Sequence, residues 1–365
     1  AGFPQEPTWR KSALTHPVRR VMVAMGVSRA CYAEPRCLCG GSLASPIIDA
    51  KPPGAERPFH RQYLLQGKLG KGAFAQVHLA KMATHGNEVA VKITDLCGPR
   101  RSQGGECGKI DKRVKWSVEN EVCILTLVSG VPHCVAFYES FVEGLVSYVV
   151  MEKCDLTLLR ALERGPELTE HTLARIFREM LWALSGIHAC THGLAVVHRD
   201  IKPDNWLCSG ADQAIKLCDF GLAEVLPRGG GELRGVFGTP PFMSPEMLGA
   251  RGYGAKTDVW SVGVIAYVLL LGEFPYRPCA AAATTMKAAI LAGTPRPIFG
   301  PAAGSGNPQP TPAARSLLTA MLNRNEATRP TAAAALQFPW VASPASTQHG
   351  RAPSLRPVLD AAKRA

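Results

Sequence analysis

The sequence predicts an α+β fold in two lobes, a small β-rich lobe followed by a larger helical one. Three observations carry this. From Tyr63 onward, short strand-like stretches are separated by Gly-bearing turns. After Glu152, apolar residues recur at helical spacing over long stretches. At 365 residues, 46% hydrophobic and 19% charged, the chain can bury the core of one large or two ordinary domains.

The elements follow in order. Residues 1–60 are broken by Pro and Gly, hold no lasting period, and are expected to be a weakly structured basic extension. A folded domain is expected over 61–341, with its first lobe over about 61–152 and its second over about 155–341. Strands are predicted at Tyr63–Leu69, Ala75–Lys81 and Glu88–Asp95, with turns at Gly70/Gly72 and Gly86-Asn87. Residues 97–113, rich in Gly, Arg and Lys, read as a loop. Val118, Val122 and Leu125 place a helix over Trp116–Val128. Strands return at Val135–Phe141 and Leu145–Glu152. The rest reads as largely helical: Glu170–His188, Asp258–Gly272 and Pro312–Leu322, with a Pro/Gly-rich loop over 292–312. Residues 342–365 are expected to be a disordered basic tail.

Bulk properties narrow the function classes. The longest apolar stretch, Val259–Leu271, is too short to span a bilayer and reads as a buried core helix, so no transmembrane segment is expected. The net charge is +12, but residues 1–58 and 342–365 carry +7 of it and residues 99–116 another +4. An excess held in tails and one insertion argues for solvated basic segments rather than a specific nucleic-acid surface. Twelve cysteines lack disulfide spacing, and Cys97, Cys123, Cys154, Cys190, Cys208 and Cys218 lie in apolar segments. That pattern fits free thiols in a reducing, intracellular setting, cytoplasmic or nuclear. Cys31, Cys37 and Cys39 lack the partners of a zinc site. The basic N-terminal stretch leaves an organelle transit segment open.

Four motifs carry chemistry. Leu69-Gly70-Lys71-Gly72-Ala73-Phe74-Ala75-Gln76-Val77 spans a strand–turn–strand, where glycines let backbone amides approach phosphate oxygens. By itself this reads more readily as an ordinary hairpin. Lys92 closes the next strand; a lysine there needs a carboxylate partner. Glu121 suits that role better than Glu119, because it precedes the apolar run Val122–Leu125 and only one of the two can point inward. His198-Arg199-Asp200-Ile201-Lys202-Pro203-Asp204-Asn205 follows, and Asp219-Phe220-Gly221 begins 14 residues past Asn205. Phosphoryl transfer needs a carboxylate at the attacking hydroxyl, here Asp200, and oxygen ligands for Mg²⁺, here Asn205 and Asp219. Lys202, two residues past Asp200, is placed to neutralise the phosphate in transit.

With these motifs in order, the sequence resembles the eukaryotic protein kinases over residues 63–341. Further matches are Gly238–Glu246, which resembles the family's substrate-docking loop with Ser244 in place of Ala, and Asp258–Gly263, which resembles the start of its central helix. Arg329 resembles the arginine that pairs with the glutamate of that loop, Glu246. The resemblance implies a bilobal protein-kinase fold, ATP and Mg²⁺ as cofactors, and transfer of the γ-phosphate to Ser or Thr of protein substrates. It implies a hinge at Glu152, Lys153 and Cys154 binding adenine, Met151 behind the adenine pocket, and Val77, Ala90 and Leu207 around the ring. Leu125, Phe137, His198 and Phe220 would form an apolar column. The ribose partner stays open, because the stretch around Asp155 is shorter than in the family.

Lys202 and Gly238-Thr239-Pro240 resemble the Ser/Thr branch, which implies Thr239 beside Asp200 and Lys202. Gln337-Phe338-Pro339-Trp340 resembles the ending of calcium/calmodulin-dependent and calcium-dependent kinases. No EF-hand loop is present. Leu355, Val358 and Leu359 with basic neighbours leave a remnant regulatory, calmodulin-binding helix open, and Pro357 argues against a long one. Asp204 is a candidate for receiving a basic residue flanking the phosphosite. Between Gly221 and Gly238 the chain has no Ser, Thr or Tyr. Glu232 is therefore expected to supply Arg199 with negative charge. The alternative function is a pseudokinase, a nucleotide-binding interaction module, on the strength of Ala75 at the third glycine position and of the loop without a phosphorylatable residue.

Overall fold

The computed structural model describes residues 58–72, 75–97, 109–165, 168–189, 194–210, 212–226, 231–278, 285–300, 308–343 and 353–363. The readings made for residues 1–57, including Cys31, Cys37, Cys39 and the transit segment, lie outside the described residues. So do Ala73, Phe74, Cys190, Gly229, Gly230 and most of the 97–113 loop.

The described residues form two compact units. The first holds the residues up to Thr126 together with Ala136–Lys153. It opens with a helical turn α1 (Phe59–Gln62), then β1 (Tyr63–Lys71), β2 (Ala75–Met82), β3 (Glu88–Asp95), helix α2 (Lys112–Leu127), β4 (Phe137–Glu143) and β5 (Val146–Glu152). The strands make one antiparallel sheet in the order β1-β2-β3-β5-β4. Order begins before the expected Tyr63 because Phe59 is fully buried. Its ring stacks on Tyr148 at 4.2 Å and on Tyr63 at 5.3 Å, closing one end of the sheet over Val89, Val91 and Val150. Helix α2 likewise starts four residues earlier than Trp116, since the Asp111 carboxylate accepts from the Arg113 amide at 2.8 Å and caps the first turn.

The second unit holds Leu127–Val135 and Cys154 onward. Its elements are β6 (Leu156–Thr157), α3 (Leu158–Arg164), α4 (Glu170–His188), β7 (Val196–Val197), a 3₁₀ turn (Pro203–Asn205), β8 (Trp206–Ser209), β9 (Ala214–Leu217), β10 (Glu224–Val225), α5 (Pro245–Leu248), α6 (Lys256–Leu271), α7 (Met286–Ala292), α8 (Pro312–Met321), α9 (Ala332–Ala335), α10 (Pro339–Ala342) and α11 (Arg356–Ala362). In α4, the Thr169 hydroxyl accepts from the Thr172 amide at the N-terminus. Leu173, Phe177, Met180, Leu184 and Ile187 bury one face of that helix. Helix α6 is buried on nearly every side, as a core helix must be to stay apolar all round. Gly263 lets it approach closely; a Cβ there would lie 2.9 Å from Met321 Cβ. Among the described residues no helix is long and apolar enough to cross a membrane, and the described cysteines are free thiols.

Three expectations need correction. Residues Leu127–Val135 belong to the second unit rather than the first. The Val135 amide donates to Leu217 O at 2.9 Å, the Leu217 amide donates to His133 O at 2.8 Å, and the His133 ring stacks on Trp182. The second part is also less uniformly helical than read. Strands β6, β8 and β9 form a small sheet and β7 pairs with β10. Strands of two to four residues are too short to show a period.

The tail is the third. Residues 353–363 are ordered, with Leu355, Val358 and Leu359 buried. The Leu355 amide donates to Leu168 O at 2.7 Å, Arg356 donates to the carbonyls of Glu163 and Gly165, and Lys363 pairs with Glu163 at 2.9 Å. Pro357 stands in the first turn of α11, where its missing N–H costs nothing. Deleting residues after Ser343 is expected to lower the melting temperature by about 5 °C, since burying each such side chain stabilises by roughly 1.5–3 kcal/mol before ordering costs are subtracted. Scanning calorimetry of the truncated and full chains checks this, and an unchanged transition would mean that the tail does not dock.

Candidate active site

Within the first unit, the register of β3 sets the site. Lys92 stands opposite Val77 on β2 and Val149 on β5, and Ala90 stands opposite Leu79 and Met151. The Lys92 ammonium meets Glu121 Oε1 of α2 at 2.6 Å, with both side chains largely shielded from water. Glu119 points elsewhere and approaches Lys115 at 3.9 Å on the exposed face. In the glycine turn, the Gly72 amide donates to Ala75 O at 2.8 Å, and Gly70 and Lys71 pair with Val77 and Gln76. Among the described residues, a Cβ on Gly70 would meet nothing within 4 Å. Leu69 is half exposed on the same strand. At the end of β5, the Glu152 amide donates to Ala136 O at 2.8 Å and its carboxylate accepts from the Ala136 amide at 3.1 Å. Strand β5 is thereby fixed up to the segment that the resemblance assigns to adenine.

Within the second unit, the short strand β7 delivers His198, Arg199 and Asp200. The buried Asp258 at the start of α6 anchors this turn. Its carboxylate accepts from the His198 amide at 2.9 Å, the Arg199 amide at 3.0 Å and His188 Nε2 at 2.9 Å. Burial alone would raise the Asp258 pKa. The His188 hydrogen bond and the other donors outweigh it and hold the carboxyl below its usual value. Arg199 and Asp219 both adopt left-handed backbone, at φ 66° and φ 59°. Such strain in non-glycine residues persists only where neighbours enforce it.

The Asp200 carboxylate is held from both sides. Its Oδ1 accepts from the Thr239 hydroxyl at 2.8 Å. Its Oδ2 accepts from Lys202 Nζ at 2.7 Å and from Asn205 Nδ2 at 3.4 Å. Lys202 Nζ also donates to the Thr239 hydroxyl at 3.2 Å. The Thr239 hydroxyl is therefore engaged. Gly238 beside it has φ 98°, and a Cβ there would collide with Arg199 O, so only glycine brings Thr239 this close.

Asp219 is tied to this turn by backbone and ring contacts. The Cys218 amide donates to Asn205 O and its carbonyl accepts from His198 Nε2, both at 3.0 Å, while His198 Nδ1 accepts from the Asp200 amide at 3.3 Å. That pattern makes Nε2 the donor and Nδ1 the acceptor of the ring. Its ring lies edge-on to Phe220 at 5.0 Å. Asn205 donates through Nδ2 to Asp200 O at 2.8 Å, which leaves its Oδ1 as an acceptor. Asn205 and Asp219 thus offer the hard oxygen donors that suit Mg²⁺. Leu207, on β8, pairs with Lys216. The Asp155 carboxylate accepts from the Gly210 amide at 3.1 Å, and Cys154 lies just before it.

The structure departs from the sequence reading at Arg199. Its guanidinium meets Glu224 Oε2 at 3.4 Å, not Glu232. Glu232 packs against Gly252, where any Cβ would overlap its carboxylate. Glu224 escaped notice because its strand β10 is two residues long and gives no periodic signal. Arg329 does meet Glu246, at 2.6 and 3.1 Å in a two-pronged pair, with the guanidinium over the Trp260 ring at 5.0 Å. Residues further from the chemistry also fall into place. The hydroxyl of Ser244, standing where the family has Ala, bonds Thr257 at 2.7 Å and accepts from the Met247 amide.

Comparison with known proteins bears on these geometries. The protein kinase domain family matches residues 63–341. Among similar curated proteins, human serine/threonine-protein kinase DCLK2 is 34% identical over 295 residues, covering 79% of this chain and 35% of its own. Serine/threonine-protein kinase PEPKR2 of Arabidopsis thaliana is 31% identical over 294 residues, covering 79% and 55%. CDPK-related kinase 7, also of Arabidopsis thaliana, is 32% identical over 295 residues, covering 79% and 47%. The chain thus spans about a third of the length of the animal relative and about half of the plant ones. With the family match covering most of the sequence, the chain belongs to the protein kinase family.

Proposed function

We propose that this chain is an ATP-dependent Ser/Thr protein kinase that moves the γ-phosphate of Mg-ATP onto protein hydroxyls. The observation that carries the reading is the Asp200 carboxylate gripped by Lys202, Thr239 and Asn205 within hydrogen-bond reach. Asp200 orients the acceptor hydroxyl and takes its proton, a role that needs a fixed carboxylate rather than a strongly basic one. Lys202 sits on the same carboxylate and offers positive charge to the phosphoryl oxygens as they pass. Thr239 fixes the loop that presents the acceptor. Lys92, oriented by Glu121, holds the α- and β-phosphates, and the amides around Gly70 and Gly72 cover them. Leu69, Val77, Ala90 and Leu207 would enclose adenine, with Met151 behind it and the backbone of Glu152 and Cys154 pairing its edge. Asn205 and Asp219 would hold Mg²⁺, which when bound neutralises phosphate charge.

Protein substrates bearing Ser or Thr follow from this reading. The exposed Asp204 offers a counter-charge for a basic residue beside the phosphosite. Kinship with a CDPK-related kinase raises calcium control, yet capture of the tail by calmodulin would require withdrawing the buried Leu355, Val358 and Leu359. The pseudokinase alternative rests on Ala75 at the third glycine position. The test is a transfer assay with γ-labelled Mg-ATP and matched peptides carrying Ser, Thr or Tyr. Label on Ser and Thr, abolished by a chelator, is expected. Label on Tyr alone, or nucleotide binding with no label on any acceptor, contradicts the proposal.

A further inference from the structure

We infer that Glu224 is a positioning residue. Through Arg199 it holds the segments on either side of Asp200, and it supplies from the chain itself the negative charge that this arrangement needs, with no phosphate added between Gly221 and Gly238. The consequence for turnover rests on the kinase reading above.

Arg199 is a junction. Its own amide is fixed by Asp258 Oδ1. Its side chain lies beside Tyr253 and reaches three further places. Nε donates to Leu222 O at 2.6 Å, Nη2 meets Glu224 Oε2 at 3.4 Å, and the guanidinium lies 4.3 Å from the centre of the Phe237 ring. Leu222 is three residues past Asp219. Phe237 is two residues before Thr239, which donates to Asp200. One side chain therefore ties the segment leaving Asp219 and the segment entering Thr239 to the residue adjoining Asp200. Further out, the second segment is pinned by the paired backbones of Leu233 and Tyr253, at 2.9 and 3.1 Å. Glu224 is itself fixed by its ladder position opposite Val197, one residue before His198.

The energetics single out the carboxylate. The Arg199 side chain is 9% exposed and Glu224 16%. A guanidinium so shielded needs a counter-charge, and removing one member of such a pair leaves the other uncompensated. Residues 222–237 contain no Ser, Thr or Tyr. The next hydroxyls, Thr239 and Ser244, are spent on Asp200, Lys202 and Thr257. The counter-charge beside Arg199 therefore comes from a side chain of the sequence itself, not from an added phosphate.

The test compares the parent with Glu224→Gln, which keeps shape and removes charge, and with Glu224→Asp, which keeps charge. Each protein is freed of phosphate by phosphatase and checked by mass spectrometry. Steady-state kinetics and hydrogen exchange at residues 222–226 and 236–239 are measured together with the melting temperature. The dephosphorylated parent is expected to turn over as fast as untreated protein. E224Q is expected to lose about tenfold or more in kcat with little change in KM for ATP, the signature of lost positioning rather than lost binding. It should also exchange faster in those two segments alone, and E224D should regain most of both. The inference is overturned if E224Q exchanges and turns over like the parent, or if its exchange rises over the whole unit, a merely structural loss. It is also overturned if the dephosphorylated parent is inactive until a phosphate is restored. A parent that transfers nothing would sink the kinase reading alone, and the exchange comparison would still decide the role of Glu224.

Discussion

Arg329→Ala is expected to cost about 3–5 kcal/mol of stability, the range for breaking a buried ion pair from one side. The Arg329 side chain is wholly buried and Glu246 nearly so. The guanidinium bonds both oxygens of Glu246, donates to the carbonyls of Asn323 and Lys256 at 3.0 Å each, and lies over Trp260. Truncation leaves a buried carboxylate without its charge partner, removes a donor from each of two carbonyls and opens a void against the indole. Arg329→Lys keeps the charge and loses the planar fork, so it should recover only part of the loss. Chemical denaturation of the three proteins checks this. The double change Arg329→Met with Glu246→Gln should fall less far than R329A, because no unpaired charge remains buried. An R329A midpoint equal to that of the parent would mean that the pair contributes nothing.

Asp200→Ala is expected to lower the transfer rate by about 10³-fold, in the middle of the range for losing a positioned proton acceptor. The fold should survive, because the backbone turn is anchored by Asp258 and Asn205 rather than by the Asp200 side chain. Nucleotide affinity should change little, since the Lys92–Glu121 pair is built on other elements. Loss of kcat with KM for ATP retained is the pattern of an interaction used in the transition state. Equal loss of binding and rate would instead make Asp200 a structural residue.

What the sequence made legible, and what it did not, follows the strength of local signals. Strand Glu88–Asp95 and helix Glu170–His188 were readable to their ends, because alternation and a Thr cap mark them. Glu121 could be chosen over Glu119 because its neighbours are apolar, and it is the one that meets Lys92. The two-residue strands β7 and β10 were invisible, having no room for a period. With them went Glu224. Glu232 stands out in the sequence only as a carboxylate in the right stretch, and contact with Arg199 depends on a ladder pairing that no spacing rule encodes. The tail failed for another reason. Leu355, Val358 and Leu359 carry the spacing of a short helix, which Pro357 at its start allows, but so short an element among basic residues gives no sign that its apolar face is buried.

A kinase of this design transfers phosphate rather than only holding nucleotide. A single-turnover experiment tests this most directly: enzyme in excess over γ-labelled Mg-ATP, a Ser/Thr peptide present, and bound nucleotide and labelled peptide measured in the same sample for the parent and for Asp200→Ala. The account predicts that both bind the nucleotide and that only the parent converts it to phosphopeptide at an appreciable rate. Full nucleotide binding by the parent with no phosphopeptide formed, or equal transfer by D200A, would contradict it.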